Sequence, residues 1–282
     1  MLLGRENLIR DFKALADRQA LGQGYIFFGP AGVGKRSFAE SLAFYLERQE
    51  FTLPEAAVLQ DAMRIAPKEG TLGIDVIREI RRFLWQKPNL SKYRTVILDG
   101  AEYLTDEAQN ALLKITEEPP ASGLLLLIID DPEKLRPTLQ SRLPKIYVAP
   151  VTIAALAEWL KKEKKLPAEK AKLLAESAFG APGVALAFLN DESFEKRLTT
   201  ARKFLSTSAA GRSAFVKELL TDEEFSLYEF MGTVLFAEGK EWRECPAAWH
   251  AACELRRQAS YFNLNARLQL LALGQVLDAR RA

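Results

Sequence analysis

The feature that most constrains this chain is a glycine-rich segment that follows a short apolar run. Residues 29–37 read Gly-Pro-Ala-Gly-Val-Gly-Lys-Arg-Ser, directly after Tyr25–Phe28. Gly29, Gly34 and Lys35 satisfy the GxxxxGK pattern of a phosphate-binding loop. The pattern predicts a strand, a loop and a helix in succession, because glycine N–H groups and a helix N-terminus together bind phosphate oxygens. The alternative is a glycine turn that only packs a strand on a helix.

One residue of this loop departs from the motif. Arg36 stands where the motif requires Ser or Thr, whose hydroxyl normally ligates Mg²⁺. Asp99 ends the second apolar run, but Gly100 follows it where hydrolytic proteins carry a glutamate that orients water. Glu102 lies three positions further on, and a polar residue is also expected at the end of the third apolar run, which reads Ile-Ile-Asp130. We therefore predict no significant ATPase activity from this chain alone.

Nucleotide binding without hydrolysis stays open at this point. Arg36 would either pair with phosphates in the absence of a metal ion or block the pocket with its bulk and charge. ATP or ADP held without hydrolysis is thus the one cofactor that the motif leaves open. The candidate nucleotide-binding residues form a degenerate site: Gly29, Gly32, Gly34, Lys35, Arg36, Ser37 and Asp99.

Strand and helix signals alternate through the first half of the chain, which predicts a parallel sheet covered by helices. The predicted strands are Tyr25–Phe28, Thr95–Leu98, Leu124–Ile129 and Ile146–Val148. The predicted helices cover 35–48, 74–85 and 106–116, and residues 51–70 are expected to be irregular. After residue 151 the pattern is helical almost throughout. We expect an α/β domain over 1–150 and two helical domains over 151–190 and 191–282.

The charge balance excludes no class of partner. Thirty-nine Lys and Arg residues face 37 Asp and Glu residues, a net charge of +2, so any DNA contact requires a local patch. A basic cluster surrounds the second predicted helix; it comprises Arg78, Arg81, Arg82, Lys87, Lys92 and Arg94. Such a cluster is typical of a surface that contacts DNA phosphates, and equally of a solvated helix face.

Cysteine and histidine usage argues against a structural zinc site. The chain has two cysteines, Cys245 and Cys253, and the single histidine His250, whereas a zinc module needs about four such ligands. The first residues show no signal-peptide pattern, and no run of apolar residues reaches the length of a membrane span. We expect a cytoplasmic protein without a membrane partner.

Several segments resemble the AAA+ subunits of bacterial DNA polymerase III clamp loaders. The segments are Thr71–Arg78, Asp106–Pro120, Asp131–Arg142 and Asn263–Leu273, so the resemblance covers nearly the whole chain. The Asn-Ala-Leu-Leu-Lys…Glu-Glu-Pro-Pro block is the most specific of them. Within the family the chain is most similar to the delta-prime members, which often lose the residues of hydrolysis.

The resemblance implies a fold, a set of partners and one further site. The fold is an AAA+ phosphate-loop domain with a parallel sheet, a small helical lid and a C-terminal helical collar that oligomerises. The partners are gamma/tau motor subunits and a delta subunit, with the sliding clamp and primed DNA reached through the complex. Ser141 and Arg142 match the family's Ser-Arg-Cys motif, which implies that Arg142 is an arginine finger acting on a neighbour's nucleotide and that Ser141 orients it.

Other interpretations stand beside this one. Arg142 is otherwise a surface arginine paired with a local carboxylate. The chain itself is otherwise an active motor subunit that tolerates Arg36, or a non-catalytic AAA+ adaptor without a role in clamp loading. Two departures from the family count against a perfect match: Leu143 replaces the Cys of Ser-Arg-Cys, and residues 51–70 lack the four-cysteine zinc module of many members.

Overall fold

The computed structural model describes residues 2–52, 58–67, 70–190, 194–221, 225, 227–237, 251–252, 254–255 and 265–281. The chain divides into two compact units. One comprises Met1–Ala175 and Phe179–Val184, and the other Glu176–Ala178 and Ala185–Ala282. The domain boundaries near residues 150 and 190 stay predictions, and residues 191–193, next to the second boundary, lie outside the described residues. Cys245, His250 and Cys253 lie outside them as well.

The first unit alternates strands with helices. Its strands are β1 (Gly24–Phe28), β2 (Ala62–Ile65), β3 (Arg94–Asp99), β4 (Gly123–Ile129) and β5 (Lys145–Tyr147). Its helices include α1 (Glu6–Asp17), α2 (Lys35–Arg48), α3 (Ile74–Leu84), α4 (Asp106–Glu117) and α5 (Pro137–Gln140). The helices α6 (Ile153–Glu163), α7 (Ala168–Ser177) and α8 (Pro182–Asn190) come next in the chain.

The described strands form one parallel sheet in the order β2-β3-β4-β1-β5. Strand β4 is buried along its whole length, as expected for a parallel strand covered on both faces. The register sets Phe28 opposite Ile129 and Asp99 opposite Ile128. The carboxyl ends of β1, β3 and β4 therefore lie side by side, at the edge where open α/β sheets bind ligands.

Helices cover both faces of this sheet. On one face, α3 and α4 contribute Ile80 and Leu112 to a core that also contains residues of β3 and β4. On the other face, Phe12 of α1, Phe27 of β1 and Phe38 of α2 form an aromatic cluster, with ring centroids 5.3 Å apart for Phe27–Phe38. These contacts fix α2 behind β1, and so set the position of the loop between them.

The second unit is helical in its described part. It contains α9 (Phe194–Ser206), α10 (Ala209–Leu219), α11 (Leu227–Ala237) and α12 (Ala266–Arg281). Phe204, Phe230 and Leu273 are buried in its core, and the buried Arg212 donates to the carbonyl of Gly274. Within the described ranges, no helix combines the length and apolar character that crossing a bilayer requires.

The predicted fold class, a parallel α/β sheet followed by a helical region, is confirmed. The predicted helix over 35–48 matches α2 residue for residue. The expectation of irregular backbone throughout 51–70 is wrong, because β2 pairs with β3 at Ala62–Ile65. This strand has four residues of mixed burial and lies near Pro67, so neither its length nor its pattern marks it. Helix α1 was likewise not predicted.

The predicted basic cluster loses one member. Arg94 is buried and donates to the Asp61 carboxylate over 2.6 Å and to Gln86 over 2.5 Å. The Asp61 carboxylate also accepts the backbone N–H groups of three residues that follow α3, namely Asn89, Leu90 and Ser91. Arg94 is thus a structural residue that orders this loop, not a candidate for DNA contact.

Candidate functional site

The phosphate loop has the backbone that its glycines predict. Gly29, Gly32 and Gly34 adopt φ angles of 138°, 74° and 99°, a region that side chains with a Cβ rarely enter. Gly34 is the N-cap of α2, so the loop opens directly into the helix. The predicted succession of strand, loop and helix is therefore present, with Lys35 as the first helical residue.

Lys35 is buried and has three acceptors within the chain. Its Nζ donates to the backbone carbonyls of Gly29 and Pro30 over 2.6 Å and 2.8 Å. It donates also to Oδ1 of Asp130 over 2.7 Å. An ammonium group has three protons to donate, so the three bonds use its full capacity. The polar residue expected at the end of β4 is present as Asp130, and it binds the lysine of the phosphate loop.

Two further contacts hold the loop from outside. Arg5 is buried, and its Nη2 donates to the carbonyls of Val33 and Ala149 over 2.8 Å and 2.6 Å. Burial lowers the pKa of this guanidinium from its ordinary value, and the charge of Glu6 acts in the opposite direction. On the other side, the backbone N–H of Gly183 donates to the carbonyl of Gly32 over 2.8 Å.

The Gly32–Gly183 contact is close enough to exclude side chains. A Cβ added at Gly32 would lie 2.7 Å from Cγ2 of Val184, and one added at Gly183 would lie 2.9 Å from the Gly32 carbonyl oxygen. The segment 180–186 therefore contacts the phosphate loop directly through its backbone at Gly183.

Arg36 lies beside the acid that the motif would use for Mg²⁺. Its Nη1 is 3.8 Å from Oδ2 of Asp99, and its Nε is 3.8 Å from Oε1 of Glu40. Arg64 of β2 contacts the same two carboxylates, at 3.5 Å from Glu40 and 3.8 Å from Asp99. The result is a cluster of two guanidinium groups and two carboxylates at the carboxyl end of β3.

Ser37 does not restore the missing hydroxyl ligand. It is half-buried in the first turn of α2, one residue beyond the position that the motif requires. One residue along an α-helix rotates a side chain by about 100°. Among the described residues, no group of three or more His, Cys, Asp or Glu side chains is arranged to hold a metal ion. With Arg36 at the position of the hydroxyl ligand and 3.8 Å from Asp99, the residues present do not fit a nucleotide–magnesium complex.

Glu102 belongs to this site although its spacing gave no sign of it. Burial raises the pKa of its carboxyl, and the charge of Asp130 raises it further, whereas Lys134 and Lys35 act in the opposite direction. Its buried Oε2 has no hydrogen-bond partner among the described residues. Sequence reasoning also missed Arg5 and Arg64, and it named Asp130 without its bond to Lys35, since the partners of these residues are distant in the chain.

Arg142 lies apart from the phosphate loop, just beyond α5. Its Nη1 donates to the carbonyl of Thr138 over 2.8 Å, and its Nη2 donates to Oε1 of Glu117 over 2.6 Å. The hydroxyl of Ser141 donates to the same Thr138 carbonyl over 3.1 Å. Arg142 is thus paired with a local carboxylate at the surface, and Thr138 is the acceptor that it shares with Ser141.

The chain is similar to subunits of bacterial DNA polymerase III. The profile of the family described as "DNA polymerase III, delta subunit" matches residues 4–152. The chain is 31% identical over 206 residues to DNA polymerase III subunit delta' of Escherichia coli (strain K12), with 67% of this chain and 62% of that protein covered. It is 33% identical over 171 residues to DNA polymerase III subunit gamma/tau of Mycobacterium tuberculosis (strain ATCC 25618 / H37Rv), with 55% and 30% covered. It therefore spans less than two thirds of the length of these relatives.

Solved structures share the fold at lower identity. A DNA polymerase III gamma subunit-related protein of Thermotoga maritima superposes with a TM-score of 0.55 at 20% identity, covering 96% of this chain and 98% of that one. The RuvB Holliday junction branch migration motor of the same organism gives 0.53 at 16% identity, covering 94% and 83%. This likeness concerns the fold, and it confirms the AAA+ fold class.

Proposed function

Because the chain belongs to the family described as DNA polymerase III, delta subunit, a family of clamp-loader subunits, we propose that it is the stator of a bacterial clamp loader. In this role it assembles in the cytoplasm with gamma/tau motor subunits and a delta subunit. The complex acts on a sliding clamp and primed DNA. Residues 1–150 form the nucleotide-type domain, residues 151–190 the lid, and residues 191–282 the collar that joins the subunits.

The state of the phosphate loop supports a subunit that does not turn over ATP. The lysine that would bind phosphate is bonded to Asp130 and two carbonyls. The position of the magnesium ligand carries Arg36, whose guanidinium is next to Asp99. Since hydrolysis needs a metal ion and a residue that orients water, these side chains favour a stator over a motor subunit.

The role of such a stator is to complete the site of a neighbour. We propose that Arg142 enters the ATP site of an adjacent motor subunit and stabilises the charge that develops on the transferred phosphoryl group. A guanidinium suits this task because its planar fork donates to two phosphate oxygens at once, which an ammonium cannot do. Ser141 supports the fork by sharing the Thr138 carbonyl.

The observation that carries the proposal is the partial exposure of the Arg142 guanidinium at the end of a four-residue helix. Its bond to the Thr138 carbonyl gives it a defined direction at the surface, so that a partner's phosphate meets an oriented fork. Exchange of the Glu117 carboxylate for a phosphate replaces one charge-assisted hydrogen bond by another. The exchange therefore has a small net cost in hydrogen bonding.

The test is the ATPase of the reconstituted loader, stimulated by clamp and primed DNA, with Arg142→Ala and Arg142→Lys. An arginine finger supplies about 10³–10⁵ in rate at the site it serves. We expect a large loss of turnover in both variants with assembly intact, because lysine cannot replace the fork. Arg136→Ala is the matched control, since Arg136 is an exposed arginine just before α5 that pairs with Asp106 at 3.1 Å.

Three results would contradict the proposal. Unchanged turnover with Arg142→Ala would make Arg142 a surface residue whose partner is Glu117 alone. Turnover of ATP by the isolated chain at ordinary enzyme rates would favour a motor subunit. A pull-down that recovers no clamp-loader subunits would favour the adaptor.

A further inference from the structure

Each ionic component of a nucleotide–magnesium complex has a counterpart of the same charge among this chain's own side chains. The phosphate loop offers one cation for phosphate, Lys35, and β3 offers one acid for the metal ion, Asp99. In this structure both already have partners of the opposite charge, and these partners come from distant parts of the chain. We propose that Asp130 takes the place of a phosphate on Lys35, and that Arg36 and Arg64 take the place of the metal ion beside Asp99.

The Lys35–Asp130 pair carries the first half of this proposal. The lysine is nearly enclosed, and among the residues that the structure describes the 2.7 Å bond from Nζ to Oδ1 of Asp130 is its one ion pair. The sheet order makes this bond possible, because β4 is hydrogen-bonded to β1 and Asp130 follows β4 directly. A phosphate entering the loop must displace the Asp130 carboxylate from Nζ. The apparent affinity for nucleotide falls by the fraction of molecules in which the carboxylate is displaced.

The arginine cluster carries the second half. Two guanidinium groups contact both Asp99 and Glu40 within 3.8 Å, so the acids are neutralised without a divalent ion. Arg36 comes from α2 and Arg64 from β2, so the cluster also joins a helix on one face of the sheet to the edge strand β2. A magnesium ion next to Asp99 would meet two positive charges within a few ångströms, and their repulsion opposes its binding.

The contact of Gly32 with Gly183 and Val184 is consistent with this arrangement. The backbone of 183–184 lies against the loop, at a distance that leaves no room for a Cβ on Gly32. The loop is thus closed by neutral backbone contacts in the same place where its charges are internally balanced. The loop is therefore held by this chain's own groups, and its conformation does not require bound ATP.

The test is calorimetric titration of the isolated full chain with ADP and with ATP, in EDTA and in Mg²⁺. Asp130→Asn removes the competing charge while keeping the size of the side chain. We expect this variant to bind ADP in EDTA at least about tenfold more tightly than the unmodified chain, since the lysine then needs a new anion. Asp130→Ser is the second variant, because an asparagine carbonyl still accepts a bond from Nζ.

Adding Arg36→Thr to Asp130→Asn restores the hydroxyl ligand and removes one of the two cations beside Asp99. We expect this double variant to bind ATP more tightly in Mg²⁺ than in EDTA, a preference that the single variants lack. Glu133→Gln is the matched control for Asp130→Asn, because it removes an exposed negative charge near β4. Arg48→Thr is the matched control for Arg36→Thr, because it removes an exposed positive charge on α2. Circular dichroism establishes that each variant is folded.

Two outcomes overturn the proposal. One is nucleotide binding by the unmodified chain as tight as that of Asp130→Asn, which would show that Asp130 does not compete. The other is a folded double variant, Asp130→Asn with Arg36→Thr, that binds ATP no more tightly in Mg²⁺ than in EDTA, which would show that Arg36 does not take the place of the metal ion. These titrations do not involve Arg142 or other subunits. Their failure is therefore distinct from a failure of the stator role.

Discussion

Two cations of this protein bind a carboxylate at nearly the same distance but differ in burial. Lys35 Nζ is 2.7 Å from Asp130, and the lysine side chain is 6% exposed. Arg142 Nη2 is 2.6 Å from Glu117, and both side chains are between one third and one half exposed. A third pair, Arg94 and Asp61, is buried on both sides. Distance alone therefore does not distinguish a fixed pair from one that can exchange its partner.

The difference between these pairs lies in what each cation loses on leaving its carboxylate. The Arg142 guanidinium is partly exposed, so water hydrates it as soon as it leaves Glu117. Exposed pairs of this kind therefore contribute only about 0–1 kcal/mol. Lys35 leaves two backbone carbonyls that have no other donor in the described structure. Arg94 would leave a buried carboxylate beside a loop that depends on it. Burial thus separates the arginine proposed to act on a neighbour from the two cations that hold this chain together.

The largest expected effect concerns the pair buried on both sides. Asp61→Ala removes the acceptor of Arg94 and of three backbone N–H groups. Loss of one partner of a buried pair costs about 3–5 kcal/mol, and we expect a fall of this size in the free energy of unfolding in urea. Asp75→Ala is the control, because its pair with Arg78 is exposed. Equal effects of the two variants would contradict the role given to burial.

The same pair predicts a dependence of stability on pH. Burial by itself raises the pKa of Asp61, but hydrogen bonds from Ser91, Asn89, Leu90 and Arg94 outweigh it and lower the pKa below the ordinary value of 3.8. The carboxylate therefore stabilises the fold fully above the unfolded pKa of about 3.9, and this contribution is lost as pH falls through the lower folded pKa. Urea unfolding at a series of pH values should give the free energy of unfolding of the unmodified chain and of Asp61→Asn. We expect the difference between the two to shrink only below pH about 3.9. A difference that shrinks already near neutral pH would contradict this assignment.

An intermediate effect is expected for the half-buried pair. Lys35→Met keeps the apolar stem but leaves the Gly29 and Pro30 carbonyls without their donor. An unsatisfied buried polar group costs about 1–3 kcal/mol, and we expect a loss in this range in urea unfolding. Arg142→Met should change the same quantity by less than about 1 kcal/mol. In the loader ATPase the order reverses, since Arg142→Met should abolish stimulation and Lys35→Met should leave it unchanged.

The smallest effect on stability is expected for Glu117→Gln. Glu117 is the last residue of α4, where a negative charge opposes the helix dipole by about 0.3–1 kcal/mol. Its removal therefore offsets the loss of an exposed ion pair, and urea unfolding should hardly change. We expect the loader ATPase to rise, because the guanidinium no longer has to leave a carboxylate. A fall in turnover would show instead that Glu117 positions Arg142, and Glu118→Gln is the control.

Local patterns were sufficient to predict the elements around the phosphate loop. The strand before it and the helix after it follow from short-range rules on glycine and apolar residues, as does Asp99 at the end of β3. The mismatch at Arg36 was equally visible in the sequence. Ser141 and Arg142 were identified through resemblance, and their role as a finger stays a prediction.

The partners of these residues depend on strand order, which no local pattern contains. Asp130 and Lys35 are 95 positions apart and meet because β4 pairs with β1. The residues just before Arg94, a lysine and a tyrosine, give no sign that it is buried. Its burial depends on Asp61, which lies 33 positions earlier in the chain. The edge strand β2 was missed because its four residues of mixed burial are too few to show an alternation of apolar and polar side chains. Sequence reasoning thus located the site but not its internal ion pairs.

The position of β1 inside the sheet has a consequence for synthesis on the ribosome. This strand precedes all the others in the chain, yet its two neighbours in the sheet are β4 and β5. About 100 residues must be translated before β4 is complete, which takes about 5–20 s at ordinary elongation rates. During that interval Phe27, fully buried in the finished sheet, has no strand to pack beside it. The β1 segment of the nascent chain therefore exposes apolar side chains during that interval, and slower translation lengthens the exposure.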